Sequence, residues 1–152
     1  MKNGSMFADL TKYRSLSFYR QNPTIEFSTL YKKSIYKVYA VFVLNASKAD
    51  DNCYIYNISR RNFINDEDFE SWSGEAYERS LINTGVDVTK EDNIITLVTC
   101  VYDFDDARLV VMARETREGE DETVDTSLSR ANPSPRYPKR WYDDRGAAYP
   151  FN

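Results

Sequence analysis

Apolar and polar positions along the 152 residues alternate mainly with the period of β-strands, broken by two stretches of helical spacing. The clearest strand pattern covers residues 36–44, where Val38, Ala40, Phe42 and Leu44 fall on one face. Residues 24–27 predict a shorter strand before it, and Lys32-Lys33-Ser34 makes the turn between the two. Residues 53–58 read as a further strand after a polar loop over residues 46–52. Helical spacing appears near Phe7 and Leu10, in a short helix that Ser5 would cap and that ends by Tyr13. A turn over residues 17–20 follows and is stopped by Asn22-Pro23. The stronger helix starts at an Asn65 cap with Asp66, Glu67 and Asp68 in its first turn, where the helix dipole favours acids. Its inner face carries Phe69, Trp72, Ala76 and Ser80. Gly74 weakens it by about 1 kcal/mol relative to Ala, and Gly85 suits the position beyond its end.

Two apolar, β-branched runs over residues 93–100 and 108–115 predict a hairpin. The first ends in Cys100 and the second begins at Arg108. Paired as neighbours, these two residues emerge at the same sheet edge. A thiol needs a nearby cation to act as a thiolate near neutral pH, and a guanidinium can hold a developing oxyanion. Arg114 shares a face with Arg108 but lies six residues along the strand, roughly 20 Å away, so it cannot serve the same point. Asp103, Asp105 and Asp106 fill the connecting loop. They lack the twelve-residue calcium-loop spacing, and they read as solvated acids that would oppose a thiolate.

Composition adds limits. Apolar residues make up 41% of the chain, enough for one domain with a core, and 12 Tyr with 8 Phe suit β-surfaces and grooves. The net charge of -4 argues against a nucleic-acid partner. Residues 1–45 hold seven Lys/Arg against two Asp/Glu, and residues 103–125 hold three against nine, which fits solvated faces of opposite sign. Two cysteines make no disulfide framework, and both are expected as free thiols. No run of about 18 apolar residues or signal peptide is visible, so the chain is expected to carry no anchor or targeting signal of its own. Residues 123–152, rich in Pro, Arg and Tyr, predict an extended tail that either wraps a surface or is disordered, with Trp141 and Tyr142 favouring partial docking.

Thr96-Leu97-Val98-Thr99-Cys100 with Ala107-Arg108 resembles the active-site signature of the sortases, bacterial cysteine transpeptidases of the cell surface. Gly4-Ser5-Met6-Phe7-Ala8-Asp9-Leu10, Pro23-Thr24-Ile25-Glu26-Phe27, Tyr36-Lys37-Val38-Tyr39-Ala40-Val41-Phe42, Thr84-Gly85-Val86-Asp87-Val88 and Val110-Val111-Met112-Ala113-Arg114 resemble class B sortase segments in the same order. The resemblance implies a mostly β fold with peripheral helices, a partial sortase-type β-barrel without its first strands. Residues 1–122 would be the carboxy-terminal part of the catalytic domain. Cys100 would be the nucleophile and Arg108 the oxyanion stabiliser. Thr99 and Val98 would touch substrate, with Tyr54 and Tyr56 either lining the groove or packing across strands. Several class B sequences have Ser where Val98 stands, so the resemblance implies that a hydroxyl open to substrate contact there is missing here. The implied partners are a sorting-motif peptide of a secreted surface protein and a peptidoglycan precursor amine, with no cofactor and no metal. The implied location is the extracellular face of the bacterial membrane, reached through an amino-terminal anchor that this chain lacks. The composition has no histidine, whereas the family's catalytic His lies just before the segment that here begins at Met1. The chain is therefore expected to be inactive alone, and a non-catalytic sorting-peptide-binding or regulatory module is the alternative.

Overall fold

The computed structural model describes residues 7–47 and 53–151. Its centre is a curled antiparallel sheet of four strands, β1 (Thr24–Ser28), β2 (Lys33–Asn45), β4 (Ile94–Cys100) and β5 (Ala107–Glu115). They lie in the order β1-β2-β5-β4. A 3-10 helix (Ala8–Arg14) and α1 (Leu16–Gln21) precede them, and α2 (Asp66–Arg79) lies between β2 and β4. Two short strands, β3 (Ile82–Asn83) and β6 (Arg130–Ala131), pair with each other, and α3 (Lys139–Asp143) follows. The architecture is mostly β with peripheral helices, as the apolar pattern predicts.

The sheet separates two cores. On one face, Val38, Val41, Val43, Leu109, Val111 and Ala113 pack under the 3-10 helix and α1, with Leu10, Tyr13 and Tyr19 reaching in. On the other, Ala40, Phe42, Leu44, Val110 and Met112 pack against Phe69, Trp72 and Ala76 of α2. The expected single face for Val38, Ala40, Phe42 and Leu44 is thus wrong at its first member. A bulge between Val38 and Ala40 inserts one residue, so Val38 joins the opposite core.

Helix α2 forms where its pattern predicts. The Asn65 side chain accepts the Asp68 amide at 2.9 Å, and Phe69, Trp72 and Ala76 are buried. Ser80 caps its end, and Gly85, with φ 79°, falls five positions later in the segment after β3. The early helix is shifted. Its predicted cap, Ser5, lies outside the described residues. The 3-10 helix begins at Ala8, and Phe7 points outward, 56% exposed, while Leu10 is buried. Ser15 caps α1 instead, accepting from the Phe18 amide.

Residues 53–58 do not form the expected strand. The segment runs alongside α2 in the opposite direction, and its tyrosines meet the helix. The Tyr56 hydroxyl donates to the Trp72 carbonyl at 2.9 Å, and the Trp72 indole donates to the Asn57 carbonyl at 2.8 Å. The tail returns to the sheet. The Asn132 amide donates to Leu81, Arg20 donates to the Ser129 carbonyl, and Tyr137 and Trp141 pack against the core under α1.

Candidate active site

The β4–β5 hairpin places Cys100 opposite Arg108. Its hydrogen bonds define the geometry. The Val101 amide donates to the Ala107 carbonyl, and the Glu115 amide donates to the Asn93 carbonyl. Odd-numbered residues of β4 therefore form the hydrogen-bonded pairs. Cys100–Arg108 is a non-hydrogen-bonded pair, in which opposed side chains stand closest. The same alternation turns the amides and carbonyls of Ile94, Thr96, Val98 and Cys100 away from β5, toward the outer edge. Cys100 and Arg108 share the α2 face with Val110 and Met112.

The turn between them is short and anchored. Asp106 takes a left-handed φ of 64°, one of the residue types that tolerate it, and the Ala46 amide donates to its carbonyl. Phe104 is buried in the core below the loop. The Arg14 guanidinium donates to Asp103 at 2.6 Å, fixing the loop to the 3-10 helix. This contact spans 89 residues and has no signal in the sequence. The Arg108 guanidinium donates to the Ala107 carbonyl at 2.9 Å and lies 3.8 Å from Asp106.

Two clefts flank the hairpin along β4. Beside Cys100 a space of about 280 Å³ is lined by Ala8, Thr11, Arg14, Thr99 and Tyr102. Toward the start of the strand a space of about 270 Å³ lies between Ile94 and Thr96 on one side and Ile58, Arg60, Arg61 and Trp72 on the other. The Thr96 hydroxyl donates to the Ile58 carbonyl and ties the strand to this wall.

The predicted substrate residues separate. Val98 is 39% exposed on the Cys100 face. Thr99 points to the opposite face and is nearly buried, though it reaches the first cleft. Tyr56 is 1% exposed, so it is a core residue and lines no groove. Its apolar ring outweighs its hydroxyl because Trp72 offers that hydroxyl a partner. Tyr54 is exposed, but its hydroxyl donates to Glu75 and it lines neither cleft.

Arg114 is fully engaged elsewhere. It donates to both Glu120 carboxylate oxygens, at 2.7 and 2.8 Å, and to Asp87. Arg117 grips Asp92 in the same cluster. The Arg114 hydrogen bonds hold the Glu120 carboxyl well below its usual range, against the opposing effect of burial. This cluster braces the far end of the hairpin, away from Cys100.

A curled antiparallel sheet with a thiol and a guanidinium paired across the last hairpin defines a sortase-type half-barrel. The chain matches no protein-family model. It is 35% identical over 114 residues to sortase B of Staphylococcus aureus (strain NCTC 8325 / PS 47), covering 74% of this chain and 43% of that protein. It is 33% identical over 119 residues to sortase B of Listeria monocytogenes serovar 1/2a (strain ATCC BAA-679 / EGD-e), covering 75% and 44%. A solved Staphylococcus aureus sortase B–substrate complex superposes with a TM-score of 0.62 at 32% identity, covering 76% of this chain and 50% of that one. A sortase B complexed with triglycine superposes equally well, at 0.62 and 32%, covering 77% and 52%. The chain is related to the class B sortases, and its sheet matches part of the sortase β-barrel. It spans less than half the length of the two curated relatives.

Proposed function

We propose that this chain is the nucleophile-bearing part of a class B sortase, a cysteine transpeptidase that attaches secreted surface proteins to the cell wall. The observation that carries the reading is the Cys100–Arg108 pair, set by strand register at one sheet edge. In this reaction the Cys100 thiolate adds to the carbonyl of a Thr in the sorting motif. Arg108 holds the resulting oxyanion. The C–N bond breaks, the leaving amine takes a proton, and a thioacyl-enzyme forms. A peptidoglycan precursor amine then attacks the thioester, loses its proton, and frees the thiolate. The substrate and triglycine complexes of related sortase B proteins support a peptide donor and an amine acceptor. The reaction belongs at the extracellular face of the membrane.

The sequence contains no histidine, the usual general acid at neutral pH. We therefore expect the 152 residues alone to lack transpeptidase activity. The same fact favours a second reading, a module that holds sorting peptides without cleaving them. One experiment separates them. A longer chain that includes the family's histidine is assayed on a quenched class B sorting peptide. The enzyme reading expects turnover that Cys100→Ala abolishes. Arg108→Ala should lose roughly 3 kcal/mol of transition-state stabilisation, and Arg108→Lys should recover little, since an ammonium cannot reproduce the guanidinium fork. Peptide binding without turnover would establish the binding module. Activity that survives Arg108→Ala but not Arg114→Ala would overturn the assignment of the arginine.

A further inference from the structure

Acyl transfer needs two distinct approaches to the thiol, and β4 offers one on each side of Cys100. The acyl half of the donor stays attached through both steps and needs a long run of contacts. The leaving amine and then the acceptor amine occupy the other side in turn. The cleft at Ala8, Thr11 and Tyr102 opens directly at Cys100. The opposite direction provides the longer floor, Val98, Thr96 and Ile94, on the same strand face as the thiol. It ends in the cleft walled by Ile58, Arg60, Arg61 and Trp72.

That end is cationic. Among the described residues, two arginines line it and no carboxylate does. Arg60 is already committed, since it donates to Asp68 and its guanidinium lies 4.8 Å from the Phe63 ring centre. Arg61 is exposed and makes no ion pair among the described residues. Among the described residues, its charge is the uncompensated one at this end of the groove. From Cys100 to Thr96 is four strand residues and to Ile94 six, so an extended peptide covers the distance in about four to six residues at ~3.3 Å each.

Resting on the transpeptidase reading, we propose that Arg61 is a specificity-determining residue. It selects donor peptides that carry an Asp or Glu four to six residues upstream of the scissile carbonyl. The carboxylate would meet a guanidinium that no described protein acid neutralises, beside the Trp72 wall.

The test uses the full 152-residue chain and peptides ending in a thiol-reactive group at the position of the scissile carbonyl. Glu, Gln or Lys is placed in turn at the fourth, fifth and sixth upstream positions. The readout is the second-order rate of Cys100 labelling, mapped by mass spectrometry. We expect Glu to exceed Gln by roughly three- to fivefold at one of these positions, the size of a partly exposed ion pair. The ratio should fall to about one in Arg61→Ala and with added salt, and Arg61→Glu should prefer Lys. A Glu-to-Gln ratio of one at all three positions overturns the proposal, as does a ratio unchanged in Arg61→Ala. The functional reading fails differently, through absence of Cys100 labelling or equal labelling by sorting-motif and scrambled peptides.

Discussion

Cys53 and Cys100 are both exposed, unbridged thiols, and only Cys100 faces an arginine across a strand pair. Cys53 sits in a left-handed turn with φ 75°. Accessibility therefore does not distinguish them, and the arginine across the strand pair does. Iodoacetamide should modify Cys100 faster than Cys53 in the folded protein, and Arg108→Ala should narrow the gap. Mass mapping that finds Cys53 modified first would sink the nucleophile assignment. This pair was legible in the sequence because both strands are strongly apolar and the turn between them is short, so register follows from length. Tyr56 was not legible. A tyrosine suits a groove wall and a core equally, and only the partner for its hydroxyl decides between them. Arg14 was hidden for another reason. Its role depends on a loop 89 positions away.

At the scale of elements, local signals served well where they acted alone. The Asn65 cap, the acidic first turn and the apolar face of α2 all agree with one another. Asn65→Ala should destabilise the fold by about 1 kcal/mol in urea denaturation, because the Asp68 amide loses its acceptor. Local signals failed where tertiary packing chose between alternatives. The residues 53–58 have strand composition, yet α2 gives their aromatic rings a better surface than a sheet edge would. The bulge in β2 is invisible in an uninterrupted apolar run, since nearly every residue there is buried on one face or the other. The junction of β1, β2 and β5 also carries a pH dependence. Lys32, with Ser34 and Asn93, holds the Glu115 carboxyl down at about 2, below its ordinary 4.5. A depressed carboxyl contributes stability above its unfolded value and loses it as the pH falls through the folded one. Glu115→Gln should therefore lower Tm at pH 7, and the difference from the native protein should shrink between about pH 4.5 and 2. A constant difference across that window would show that Glu115 acts through packing alone.

Across the whole molecule, the final thirty residues are integral to the described structure. They pair β6 with β3, hold Arg20 through Ser129, and cover the core under α1 with Tyr137 and Trp141, whose rings stack at 4.4 Å. Deleting residues 129–152 should lower stability by roughly 2 kcal/mol or more, from the loss of two half-buried aromatic side chains. Thermal melts of the shortened chain measure this, and an unchanged Tm would show that the tail merely rests on the surface. The sequence marked residues 123–152 as a tail but not where that tail returns, because two-residue strands carry no periodicity. Among the described residues β4 is paired on one side only, with a consequence readable in amide proton exchange. The amides of Ile95, Leu97 and Thr99 point into the ladder with β5 and should exchange slowly. Those of Thr96, Val98 and Cys100 point outward and should exchange quickly, giving a fast–slow comb along a single strand. β5, paired on both sides, should show no such comb. Any segment that lies along the outer edge of β4 as a neighbouring strand would slow the fast teeth and leave the slow ones unchanged.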